Sequence, residues 1–131
     1  MKHKENILRL RAEGKSYREI QEELDCSKGT ISYHLGEGQK EKVISRTRSR
    51  RHSISKYIAE YKESRGCRDC GGMYPYFVLD LDHREPSQKE FGLAQARTVT
   101  KDIERIKKEI EKCDVVCANC HRVRTYARKE E

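Results

Sequence analysis

Apolar residues are scarce in this chain of 131 residues: the hydrophobic set makes up 34% and the charged set 39%. That excludes one large core and points to two small modules with an exposed connector. The second module is expected to rely on a bound metal, because its core is thin. No apolar run approaches the length of a membrane span, and Met1-Lys2-His3-Lys4 opens a polar helix pattern with no apolar signal core. Export and a membrane partner are therefore not expected, and a reducing cytoplasm is. The P-loop and Rossmann glycine patterns are also missing, which leaves ATP and dinucleotide chemistry without support.

Charge is what the chain has in quantity. Its net charge of +7 and pI near 9.1 favour a polyanionic partner. Residues 1–39 carry seven basic and seven acidic side chains, and residues 53–131 carry sixteen and fourteen. Residues 40–52 carry six basic and one acidic, so the excess sits almost wholly there.

Ahead of that stretch, Ile7, Leu8, Leu10 and Arg11 fall in a helical pattern that Gly14 stops. Ser16-Tyr17-Arg18-Glu19 reads as a capping box, followed by Ile20 and Leu24 on one stripe of a second helix. Asp25-Cys26-Ser27 breaks that helix. Ser27 is placed to cap a third one over Lys28 to Leu35, with Ile31 and Leu35 facing the same core and Gly36 and Gly38 ending it. Two short helices across a three-residue turn, from about Glu5 to Leu35, resemble the helix-turn-helix DNA-binding domains. The resemblance implies double-stranded DNA as partner and puts Lys28, Gly29, Thr30, Ser32 and Tyr33 at or near the reading face. A three-helix bundle that binds protein, or nothing, is the plainer alternative.

The basic stretch shows no apolar periodicity before Ile54. It reads as a linker whose Arg46, Arg48, Arg50 and Arg51 would track the DNA backbone, with no folded helix required. Ser53 is expected to cap a helix with Ile54, Tyr57, Ile58 and Tyr61 that Gly66 ends. Tyr74 to Asp82 is strand-like, and Arg84 to Thr100 an irregular excursion. Thr100 is expected to cap a helix carrying Ile103, Ile106 and Ile110. Asp114 to Cys117 reads as a short strand, and Ala118 to Arg128 as the last helix. The organisation is α+β: a module over 1–39, a linker and connecting helix over 40–65, and a second module over 66–131.

The cysteines organise that second module. Cys67/Cys70 and Cys117/Cys120 are two C-x2-C pairs, each able to present two thiolates from one tight turn, together a tetrahedral sulfur shell suited to structural Zn²⁺. Two disulfides are the alternative, and a reducing compartment argues against them. Cys26 and Cys113 have no partner at ligand spacing and read as reduced core thiols. Between the pairs lies Leu79-Asp80-Leu81-Asp82-His83-Arg84, and His121 follows the last cysteine. The zinc would bring Asp82-His83 beside His121, a grouping that is either chemical or mere decoration on a zinc ribbon.

Cys67-x2-Cys70, Leu81-Asp82-His83-Arg84 and Cys117-Ala-Asn-Cys120-His121-Arg122 resemble the HNH (His-Me finger, ββα-metal) endonucleases, above all small phage and homing-type members with a four-cysteine zinc clamp. The resemblance spans about Cys67 to Thr125. It implies a ββα-metal fold and phosphodiester hydrolysis in a bacterial or phage-infected cell. It also implies a catalytic Mg²⁺ or Mn²⁺ on Asp82 and His121, with His83 as general base. Where many members have an asparagine this chain has Cys113 and Asp114, and Asn119 inside the knuckle stands as the remaining candidate to orient the base. Arg84 and Arg122 would clamp phosphate, unless they are surface cations. A junction-resolving nuclease of endonuclease VII type and a non-catalytic zinc-containing transcription regulator are the competing readings. His34 and His52 receive no role.

Overall fold

The computed structural model describes residues 3–130; Met1, Lys2 and Glu131, and with them the start of the polar amino-terminal pattern, lie outside the described residues. The chain divides into two compact units, 1–49 and 50–131. It is mixed helical with one small two-stranded sheet. Among the described residues no helix is long and apolar enough to cross a membrane.

In the first unit α1 (Lys4–Ala12), α2 (Tyr17–Leu24) and α3 (Lys28–Leu35) pack around Ile7, Leu10, Ile20 and Ile31, all essentially inaccessible. Each such side chain is worth about 1.5–3 kcal/mol of burial, so four of them hold a module this small. Local chemistry fixes the ends. The Ser16 hydroxyl accepts the Glu19 amide at 3.3 Å while the Glu19 carboxylate accepts the Ser16 amide at 2.7 Å. Ser27 accepts the Thr30 amide at 3.1 Å and starts α3. Gly14, with φ of +86°, makes the turn after α1 in a conformation that a side chain would strain. Leu8 faces outward, and Leu24, Cys26 and Leu35 close the rim of the core.

The basic stretch is not an irregular linker. α4 runs unbroken from Gln39 to Arg65, so Ser53 lies inside a helix and does not cap one. Nothing in residues 39–65 interrupts it, since neither glycine nor proline occurs there, while Gly66, at φ of +68°, ends it as expected.

The second unit is built on β1 (Leu79–His83) and β2 (Cys113–Cys117), antiparallel, with Leu79 opposite Cys117 and His83 opposite Cys113. The strand is shorter than the apolar run suggests, because Tyr76–Val78 turns as 3-10 helix. The excursion between the strands holds α5 (Ala96–Val99) and α6 (Ile103–Glu111), and β2 runs directly into α7 (Ala118–Glu130). The α6 cap is Asp102, which accepts the Glu104 amide; Thr100 instead accepts the amide of Asp102. Side chains alternate across the sheet. Leu79, Leu81, His83, Cys113 and Val115 belong to one face, continuous with Ile54, Phe91, Ile106 and Ile110. Asp80, Asp82 and Asp114 belong to the other, which meets α7.

Candidate metal centre and adjoining cleft

The four cysteines of the paired knuckles converge. Their sulfur atoms all lie within 4.8 Å of one another, and Cys70 Sγ is 4.0 Å from Cys117 Sγ. Tetrahedral zinc thiolates, with Zn–S near 2.3 Å, need sulfurs roughly 3.8 Å apart. The cluster can therefore hold a metal such as zinc with little rearrangement. Its electrostatics ask for a cation. Burial opposes ionisation of Cys67, but the amides of Cys70, Cys117 and Asp69 outweigh it and bring the thiol down to about 6. Bonding to Cys117, then burial, pushes Cys120 up to about 12. Four thiols so close cannot all ionise without positive charge among them. Gly71, at φ of +74°, turns the first knuckle, and Cys117 Sγ accepts the Cys120 amide at the start of α7. The six cysteines are all free among the described residues, and Cys113, buried behind the sheet, has its thiol pushed up to about 12 by burial.

On the α7 face, His121 Nδ1 lies 3.0 Å from Asp80 Oδ2, and its Nε2 is 3.6 Å from Asp82 Oδ1. Asp82 and His121 thus meet from opposite ends of the motif. Asp82, 5% exposed, is also held by two arginines that the sequence did not implicate. Arg128 donates to both its oxygens at 2.9 Å, and Arg124 donates to Oδ2 at 3.1 Å. Arg124 also reaches Asp69 and Asp114, tying the first knuckle to the sheet. Burial raises the Asp82 pKa, but Arg128 and Arg124 outweigh it and keep the carboxyl below its ordinary range.

His83 belongs to the opposite face. Its Nε2 lies 2.7 Å from the Oε1 of Glu109, a carboxylate only 1% exposed on α6. The two faces communicate at the edge of β1, where a cleft of about 460 Å³ is lined by both His83 and His121. Lys62 of α4, Lys89 and Arg97 bring positive charge to the same cleft, with Asp80, Leu81 and Tyr76 beside them. Burial lowers the Lys62 pKa, against the attraction of Asp80.

The remaining expected residues fall outside the cleft. Asn119 is exposed on the first turn of α7; the group bonded to His83 is Glu109. Arg84 braces the start of β2, donating to Cys113 O, Asp114 and Glu111 O. Arg122 is exposed. The signal for Glu109 was present: it follows Ile106 by three positions on the buried stripe of α6, where an acidic residue needs a partner.

The first unit has its own geometry: α2 and α3 flank the turn Asp25-Cys26-Ser27, with α1 packed against both. Residues 3–38 match the family model of a helix-turn-helix domain. That helix-turn-helix domain supports DNA binding by the chain. No curated protein and no solved structure matches it. Within the helix-turn-helix domain, Lys28 and Gly29 are exposed at the start of α3, and Thr30, Ser32 and Tyr33 are half-buried. The Thr30 hydroxyl is within 3.0 Å of Ser27 Oγ, and the Tyr33 ring stands edge-on to His34. Only Ser27 Oγ, at 3.6 Å, would touch a Cβ at Gly29, so the fold itself has no steric need of glycine there. Arg46, Arg48 and Arg51 are exposed along α4 and Arg50 is half-buried.

Proposed function

We propose that the chain is a metal-dependent DNA endonuclease of HNH type that hydrolyses phosphodiester bonds. The helix-turn-helix domain supplies double-stranded DNA targeting, and the four cysteines hold structural zinc. The observation that carries the reading is the meeting of Asp82 and His121 at 3.6 Å in a strand–strand–helix unit. That unit is fastened by the cysteine cluster, and His83 and His121 open onto one basic cleft. Asp82 and His121 would offer Mg²⁺ or Mn²⁺ a carboxylate oxygen and an imidazole nitrogen, and the ion would supply Lewis-acid polarisation of the scissile phosphate. Lys62, Lys89 and Arg97 give the phosphate oxygens donors and countercharge. His83 takes the proton of the attacking water, a role suited to an imidazole at neutral pH.

One observation favours a second reading. Both oxygens of Asp82 accept hydrogen bonds from guanidinium groups, so a divalent ion must displace at least one arginine. If the arginines stay, the unit is the zinc-stabilised body of a non-catalytic DNA-binding regulator. Supercoiled plasmid incubated with the full chain and Mg²⁺, Mn²⁺ or EDTA separates the two. Metal-dependent nicking lost on His83→Ala supports the nuclease. Specific binding without nicking at any metal concentration supports the regulator.

A further inference from the structure

We propose that Glu109 is a positioning residue that fixes the His83 ring for proton abstraction, an assignment that rests on the nuclease reading. Glu109 Oε1 lies 2.7 Å from His83 Nε2 and accepts the Glu90 amide at 2.9 Å, while Oε2 accepts Lys112 Nζ at 2.7 Å. With both oxygens engaged from three directions, the carboxylate cannot rotate. Burial opposes its ionisation, but Lys112, the Glu90 amide and His83 outweigh it and bring it to about 2. An ionised carboxylate is acceptor-only, so the ring must turn an N–H toward it, and the proton sits on Nε2. The lone pair is thereby left on Nδ1, which takes no hydrogen bond from the described residues, and His83 is one of the residues lining the cleft.

Stability alone does not call for this arrangement. Glu109 is buried on the same helix as Ile106 and Ile110, and replacing a buried ion pair by packed apolar groups is often neutral or stabilising. What an apolar residue cannot do is choose the tautomer and face the imidazolium as it forms. In the step, a water O–H gives its proton to Nδ1 and its oxygen bonds to phosphorus. The bond from phosphorus to the 3′ oxygen breaks, and that oxygen is protonated from solvent. Glu109 acts through His83 and touches neither water nor phosphate.

The test compares full-length Glu109→Gln and Glu109→Ala with the parent chain, using supercoiled plasmid and Mn²⁺, with zinc content and thermal melting checking the fold. Gln keeps an oxygen for His83 and Glu90 but loses the charge, and kcat should fall about tenfold. Ala loses the acceptor as well, and kcat should fall about 10²–10³-fold; KM should stay within about twofold in both. Nitrogen NMR of the His83 ring should show the neutral parent protonated at Nε2, with that N–H exchanging faster in the Ala variant. A folded Ala variant with kcat within about threefold of the parent, or a parent ring protonated at Nδ1, overturns the proposal. If the parent chain does not nick with Mg²⁺ or Mn²⁺ at any concentration, the nuclease reading fails and the assignment to catalysis falls with it, whereas the ring spectrum still reports whether Glu109 sets the tautomer.

Discussion

Arg128→Ala should make the chain a better binder of the divalent metal proposed for Asp82 and His121. Arg128 covers Asp82 with two hydrogen bonds of 2.9 Å, and the bond at Oδ1 occupies the oxygen that lies 3.6 Å from His121 Nε2. A divalent ion held by Asp82 and His121 must compete for that oxygen. Hydrogen bonds to charged groups are worth about 1.5–3 kcal/mol. The Arg128 side chain is 35% exposed, so solvent screening puts this interaction at the lower end, about 1.5 kcal/mol. That corresponds to about tenfold in binding. Arg124 stays on Oδ2, so Asp82 is not left buried without a counter-ion. Plasmid nicking across a Mn²⁺ titration should therefore reach half its maximum at about one-tenth the concentration that the parent needs. DNA affinity measured in EDTA shows separately whether the arginine also binds phosphate. A folded, zinc-loaded variant needing the same or more Mn²⁺ would refute the competition between arginine and metal.

His83→Ala should lower nicking by about 10²–10⁴, measured as initial rates at saturating plasmid. It should also lower the melting temperature, because the buried Glu109 carboxylate loses one partner, while DNA binding by the first unit stays intact. Cys67→Ser or Cys120→Ser should unfold the second unit, because four thiolates hold zinc by on the order of 10 kcal/mol; metal analysis should find one tightly held zinc per parent chain and circular dichroism should show the loss. On α4, Arg46 and Arg50 share one face at i, i+4, and Arg48 and Arg51 share another at i, i+3. At most one pair can then track a phosphate backbone, so alanine at that pair should flatten log affinity against log salt by about 1.8, and alanine at the other should leave it unchanged. Asp69, Asp82, Asp114 and Glu109 all have lowered pKa values in the folded chain. Depressed carboxylates contribute stability that is present above their unfolded values and lost as pH falls through the folded ones. Urea unfolding of Glu109→Gln should accordingly fall less steeply than that of the parent between pH 4.5 and about 2.

The helix-turn-helix domain was legible because its signals are local: a capping box, an N-cap serine, a glycine stop and apolar spacing that agree with one another. The cysteine pairs were legible for the same reason, since the spacing carries the geometry. The second half of α4 was legible from Ile54, Tyr57, Ile58 and Tyr61, and its first half was missed because an exposed helix has no apolar stripe to show. The readable sign was continuity, twenty-seven residues without glycine or proline. The neighbours of Asp82 were hidden for a different reason. Strand alternation sends Asp82 and His83 to opposite faces, so adjacency in sequence did not tell which partners each would meet. Those partners, Arg124, Arg128 and Glu109, come from helices whose facing is set by tertiary packing.

α7 carries no buried residue, and Val123 and Tyr126 stand open to solvent. The side it turns to the sheet is His121, Arg124 and Arg128, at i, i+3 and i+7, so charge and the Cys120 end of the cysteine cluster fasten it where most helices use an apolar stripe. With so little apolar burial, α7 is expected to exchange its amides sooner than β1 and β2, which hydrogen exchange can check. Its contacts to Asp82 and Asp114 are made at about 3 Å on carboxylates that are 5% and 7% exposed, well inside the Debye length of roughly 10 Å at 0.1 M salt, so salt screens them little. The half of the cleft that carries His121 is therefore held by ion pairs, and the half that carries His83 rests on a buried carboxylate behind the sheet.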